Sequence, residues 1–265
     1  GYSLSVKSRE NDVTYRQILV PVNGTASDDV VLASAFAVAT ISAAHVSALF
    51  VRPDARQVTP LIGFSMFPSV IEEIAKSAKQ VADEAARSTH RRFTAAAIKA
   101  KVEIVDRPKA LPGVAGSFHQ AEGFVFDRVS EAAKFADLVM FGSFVDPDDF
   151  QTSAAFSEVL LTAKRPVLVA PKPIERPPAR IAIGWDGAHA TARAVCAAIP
   201  LLSVAEEVEI ISIEKDFSGA GDCDDLRDYL SLSGITAKRR VVKKDKHLIG
   251  ESLLNEARNY DAYLL

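Results

Sequence analysis

The chain spells out one pattern twice, and this constrains its fold more than any single motif. The stretch RQILVPVNGTASDDVVLASAF, from Arg16 to Phe36, returns as ARIAIGWDGAHATARAVCAAI, from Ala179 to Ile199. At that one offset Ile18 aligns with Ile181, Asn23 with Asp186, and Gly24 with Gly187. A second pair follows: VSEAAKFADLVMF, ending at Phe141, resembles LLNEARNYDAYLL, ending at Leu265. Tandem duplication explains both, and internal repeats are weighed before any local motif. Between the copies lies APKPIERPPAR, where Pro171, Pro173, Pro177 and Pro178 remove backbone donors and disfavour helix and sheet alike. The reading is a flexible leader over 1–14, a first domain over 15–173, a linker over 174–180 and a second domain over 181–265.

Within the first copy, short apolar runs alternate with helical patterns. Strands are expected over 16–22, 45–51, 101–105, 137–141 and 166–170, and helices over 28–43, 69–98, 122–136 and 153–163. The long helix repeats Ile71, Ile74, Ala78, Val81 and Ala85 at the three-and-four spacing of one buried face. The strands are apolar throughout rather than alternating, as when helices cover both faces of a parallel sheet. The second copy repeats the order through VEIISIE, TAKRRVV and DAYLL. The expected class is α/β: two tandem doubly wound parallel-sheet, Rossmann-like domains related by duplication. The first copy continues for a further loop, helix and strand beyond Phe141, whereas the sequence stops at Leu265, so the second domain is expected to lack its C-terminal part.

Acids and bases are scattered and the formal net charge is −3, which leaves no broad basic face for nucleic acid or anionic lipid. Val30–Val51 contains no acid, lysine or arginine, but it is rich in Ala, Ser and Thr and divides into a helix and the strand HVSALFV rather than a membrane span. Cys196 and Cys223 have neither zinc-ligand spacing nor the count of a disulfide framework, and the 5 histidines do not cluster with Cys or paired acids. A cytoplasmic protein without nucleic-acid or membrane partners is expected. No nucleophile elbow, Walker loop or dinucleotide fingerprint is present, so no hydrolase, P-loop or NAD reading has a motif behind it.

Open parallel sheets bind ligands at the carboxyl ends of their strands, where the strand order reverses. The first strands of the two copies end in PVNGT and GWDGA, and the second places Asp186 before Gly187. A carboxylate there can accept hydrogen bonds from a ribose hydroxyl or an exocyclic amine. It can equally cap a turn or a helix, since Asp-Gly is a common turn pair.

Taken together, ILVPVNGT, IAIGWDGA, ADLVMFG and SEVLLTAKRPVLVAP resemble the universal stress protein family in its tandem form, over nearly all of residues 15–265. The resemblance implies ATP or a related adenine nucleotide, held by an aspartate after the first strand, by backbone at the ends of the first two strands, and by a glycine motif after the fourth. Carried onto this chain, it assigns the second domain Gly184, Trp185, Asp186, Gly187 and Ile213 as cofactor-binding residues. It implies regulatory binding rather than catalysis, with no metal beyond nucleotide-bound Mg and at most slow, incidental ATPase activity. It also implies two domains packed as a pseudo-dimer within one chain, and leaves a homodimer and a protein partner open.

The first domain departs from that pattern. Asn23 stands where the aspartate belongs, Val145 where the second glycine belongs, and Ser153 and Ala154 where the closing Gly-Ser pair belongs. Asp146, Asp148 and Asp149 bring negative charge into the same loop. At an effective dielectric of about 20 to 40, each carboxylate about 6 Å from a phosphate charge opposes it by about 1 to 3 kcal/mol before screening. This copy is expected to be a degenerate nucleotide site. Its acids lack the spacing of a calcium loop and read as a turn around Pro147. KRRVVKKDKH reads as a solvated edge rather than a phosphate-steering patch. Two rivals remain: a nucleotide-free interaction module with Phe64 and Phe67 as its handle, and an enzyme of the related adenine-nucleotide α-hydrolase architecture, for which PVNGTASDD lacks a Ser-Gly-Gly loop.

Overall fold

The computed structural model describes residues 14–52, 68–109, 111–143, 150–213, 223–242, 253–256 and 258–264. The chain divides between Arg176 and Pro177, inside the proline-rich segment, into two compact units. The first spans Tyr15–Arg176.

The first unit runs β1 (Gln17–Val22), α1 (Ser27–Ala39), β2 (His45–Arg52), α2 (Pro68–Lys99), β3 (Glu103–Ile104), β4 (Ala115–Glu122), α3 (Val125–Ala133), β5 (Leu138–Phe141), α4 (Phe150–Leu161) and β6 (Val167–Val169). All strand pairs are parallel, in the order β3-β4-β2-β1-β5-β6. The central strands are apolar on both faces because helices cover both. On one face Phe36 of α1 and Phe93 of α2 pack with ring centroids 5.9 Å apart, and Phe118 of β4 joins them. On the other, Leu19, Leu49, Val139 and Phe141 meet Val129 and Val159 of α3 and α4. Small residues let α1 lie close: Ala35, Val38 and Ala39 are fully buried.

The structure corrects the sequence reading at one strand. The third strand of the core sheet is β4, AGSFHQAE, pairing β2 in register from His45↔Ala115 to Arg52↔Glu122. The expected strand over 101–105 is only the two-residue edge β3 outside it, and α3 begins at Val125 rather than 122. β4 carries no apolar run because its polar side chains satisfy one another. His45 Nε2 and His119 Nε2 each lie 2.8 Å from Ser117 Oγ, in a chain across the two strands. Burial, with His119 close by, pushes His45 down to about 4, so it stays neutral near pH 7. Gly116 is bare because a Cβ there would come within 3.1 Å of both Phe36 and Phe93.

The second unit contains β7 (Arg180–Gly184), α5 (His189–Ser203), β8 (Glu207–Ile213), α6 (Cys223–Ser231), β9 (Ala237–Val242) and β10 (Ala262–Leu264). Its strands are parallel in the order β10-β7-β8-β9. With β7 placed on β1, this is the arrangement β5-β1-β2-β4 of the first unit. The copies also share a fastening. Asp137 Oδ2 accepts the amides of Arg16 and Gln17 at 2.7 and 3.0 Å, and Asp261 Oδ2 accepts those of Ala179 and Arg180 at 3.1 and 3.0 Å. One carboxylate, just before the fourth strand, thus pins the start of the first in each unit. Ile181, Ile183, Ile199, Leu202 and Ile210 are the large buried side chains of this second core.

Candidate functional site

β7 lies between β8 and β10, so the strand order reverses beside it and its carboxyl end is where this architecture receives ligands. Gly184 closes β7 in register with Ile211, and the Trp185 amide donates to the Ile211 carbonyl at 2.8 Å, which extends the pairing by one residue. Gly187 turns the chain with a φ of 78°. Asp186 is exposed, and its Oδ1 accepts the Ala188 amide at 2.8 Å and the Thr191 hydroxyl at 2.7 Å. The carboxylate thus ties the turn to Ala188 and to Thr191 of α5, the turn role that the sequence reading held open beside ligand binding. Ile213 closes β8 opposite Val242. The structure therefore brings Gly184, Trp185, Asp186 and Gly187 together on one turn, with Ile213 at the end of the neighbouring strand.

The matching turn of the first unit exchanges these roles. Gly24 again has positive φ, 90°, and a Cβ would sit 3.2 Å from Ala85 of α2. Here the carboxylate comes from the helix: Asp28, aligned with Thr191, accepts the Asn23 amide on Oδ1 at 3.1 Å and the Gly24 amide on Oδ2 at 2.8 Å. The Thr25 amide donates to Asn23 Oδ1 at 3.1 Å. Asp28 is 2 % exposed, and burial pushes it up to about 6 against the pull of those amides and of the Arg92 charge. Sequence reading passed over Asp28 because an Asp-Asp pair at a helix start reads as an ordinary first-turn acid. Alignment of the copies holds the missed signal, since Asn and Asp at the turn face Asp and Thr on the helix.

A cavity of about 1150 Å³ lies at the carboxyl ends of β1, β2 and β5 in the first unit, bounded by α1, α2, α3 and α4. Gly142, the expected first glycine of a phosphate motif, lines it. Ser153 lies inside α4, which starts at Phe150, and its carbonyl accepts the Ser157 hydroxyl at 3.0 Å, so the closing pair of that motif has been absorbed into the helix. Val145, Asp146, Pro147, Asp148, Asp149, Phe64 and Phe67 lie outside the described residues. No group of three or more His, Cys, Asp or Glu residues able to hold a metal occurs among the described residues, and no helix among them is long and apolar enough to cross a membrane. In the basic run, Lys238 pairs with Glu207, Arg239 with Asp224 and Arg240 with Glu256.

Two parallel sheets of matching order, with their turns and cavity at the carboxyl ends of the strands, define the doubly wound α/β class. Within that class the chain has the universal stress protein fold. It is similar to a universal stress protein from Archaeoglobus fulgidus, at 17% identity and a TM-score of 0.60, over 93% of this chain and 83% of that one. It is also similar to a putative universal stress protein from Pseudomonas aeruginosa, at 13% identity and a TM-score of 0.50, over 92% of this chain and 80% of that one. No protein-family model and no curated protein matches the sequence. The resemblance read from the sequence is thus borne out at the level of the fold.

Proposed function

We propose that this is a tandem universal stress protein that binds an adenine nucleotide, ATP or a relative, as a regulatory ligand through its second unit. One observation carries the reading: of the two aligned turns, only the second presents an exposed carboxylate, Asp186, at the end of the central strand. Its first unit instead buries the acid and uses it on its own amides, so the degenerate site belongs to residues 15–173 and the working one to 181–265. Asp186 would accept from the nucleoside, Trp185 would flank the base, and Gly184, Gly187 and Ile213 would offer backbone at close approach. The protein would act by binding rather than by catalysis, the role that the family resemblance implies.

Titration calorimetry of the full-length native protein with ATP and ADP, beside mass spectrometry of the purified protein for carried-over nucleotide, tests the reading. Asp186→Ala should weaken binding by about ten-fold or more, the loss of one hydrogen bond to a charged group. Asn23→Ala should leave it unchanged. Absence of nucleotide in both measurements, or equal affinity for the Asp186 variant, overturns the proposal.

A further inference from the structure

We propose that the cavity of the first unit binds an uncharged, largely apolar small molecule, and that it does so in place of an anionic nucleotide. At about 1150 Å³ it can enclose a drug-sized ligand, and it sits where open parallel sheets receive one. Leu49, Val51 and Phe141 line it from the strands, and Val125 and Val129 from α3. From α2, Val81 also lines it while remaining 68% exposed, apolar surface that a ligand would cover.

The polar groups argue against an anion. At the turn after β1, whose amides could otherwise donate to an anion, the Asn23 and Gly24 amides are held by Asp28 and the Thr25 amide by Asn23. An incoming anion would shed its water beside a buried carboxylate and find those amides already engaged. The remaining charge at the cavity is balanced: Glu72 and Glu122 stand against Lys76 and Lys79, while Arg52 pairs with Asp83 and donates to Gln120. Balanced charge around an apolar interior favours a neutral occupant over either sign. This site is separate from the turn at Asp186 and does not depend on the nucleotide reading of the second unit.

The test uses the full chain and two dyes of nearly one shape: neutral N-phenyl-1-naphthylamine, and 8-anilino-1-naphthalenesulfonate, which adds a sulfonate. The neutral dye should brighten saturably at one equivalent per chain and bind at least about ten-fold tighter than the sulfonate. Millimolar ATP and the Asp186→Ala change should leave that binding intact. Ala78→Trp and Val125→Trp fill the cavity from opposite walls, and each should weaken the neutral dye by about ten-fold or more. Circular dichroism and thermal unfolding identify which variant keeps its fold, and either one suffices. Four results would overturn the proposal: no saturable binding of the neutral dye, equal or tighter binding of the sulfonate, displacement by ATP, or unchanged affinity in a folded tryptophan variant.

Discussion

Asp28 and Asp186 show how one turn is built in two ways by exchanging a carboxylate between neighbouring positions. Where the acid is on the helix, it is buried and its bonding is turned inward. Where it is on the turn, it stays in contact with solvent. The buried form leaves a trace in stability. Asp28 titrates near 6 when folded against its ordinary 3.8, so the folded chain holds this proton more tightly than the unfolded chain. Its contribution is therefore fully present below the unfolded value and is lost as pH rises through about 6. A shift of that size corresponds to up to about 3 kcal/mol. Asp28→Asn removes the titration, although its amide cannot accept both backbone donors. Urea unfolding from pH 4 to 7.5 should show wild-type stability falling more steeply than that of the variant; parallel curves would contradict the assignment.

Among the elements, the most informative are those that hold the repeat together without contributing to its apolar pattern. Asp137 and Asp261 each accept two amides at the start of a first strand, a long-range bond that no local propensity describes. Asp137→Ala leaves the Arg16 and Gln17 amides without that acceptor and should cost about 2 kcal/mol in urea unfolding, whereas Asp137→Glu would recover part of the loss. A change within about 0.5 kcal/mol, the range of ordinary surface substitutions, would show the fastening to be incidental. The same elements mark how far the sequence could be read. β1, β2, β5 and α1 were legible because burial on both faces writes itself as an unbroken apolar run. β4 was not, because its Ser117 is satisfied by His45 of the neighbouring strand, its His119 by Ser117 itself, and its Gly116 by two rings from helices far along the chain. The turn at Asp186 was legible from Asp-Gly, but the competing use of Asp28 required knowing which amides it reaches.

At the scale of the whole molecule, duplication provides two sheets of one topology, each with its own large buried side chains. Phe93 of α2 is fully buried against Phe36 and Phe118, and Leu202 of α5 is 1% exposed in the second unit. Truncating either opens a cavity in one core only, at a cost of about 3 to 5 kcal/mol for Phe93→Ala and about 2 to 5 kcal/mol for Leu202→Ala. If each unit is a folding domain, hydrogen exchange read by segment should separate them. Phe93→Ala should speed exchange in β1, β2 and β4 while β7 and β8 keep their protection, and Leu202→Ala should do the reverse. Faster exchange in both sheets from either substitution would show that the halves unfold as one cooperative body. It would also link the first unit's cavity to the second unit's turn, because a ligand that stabilised one would then protect the other.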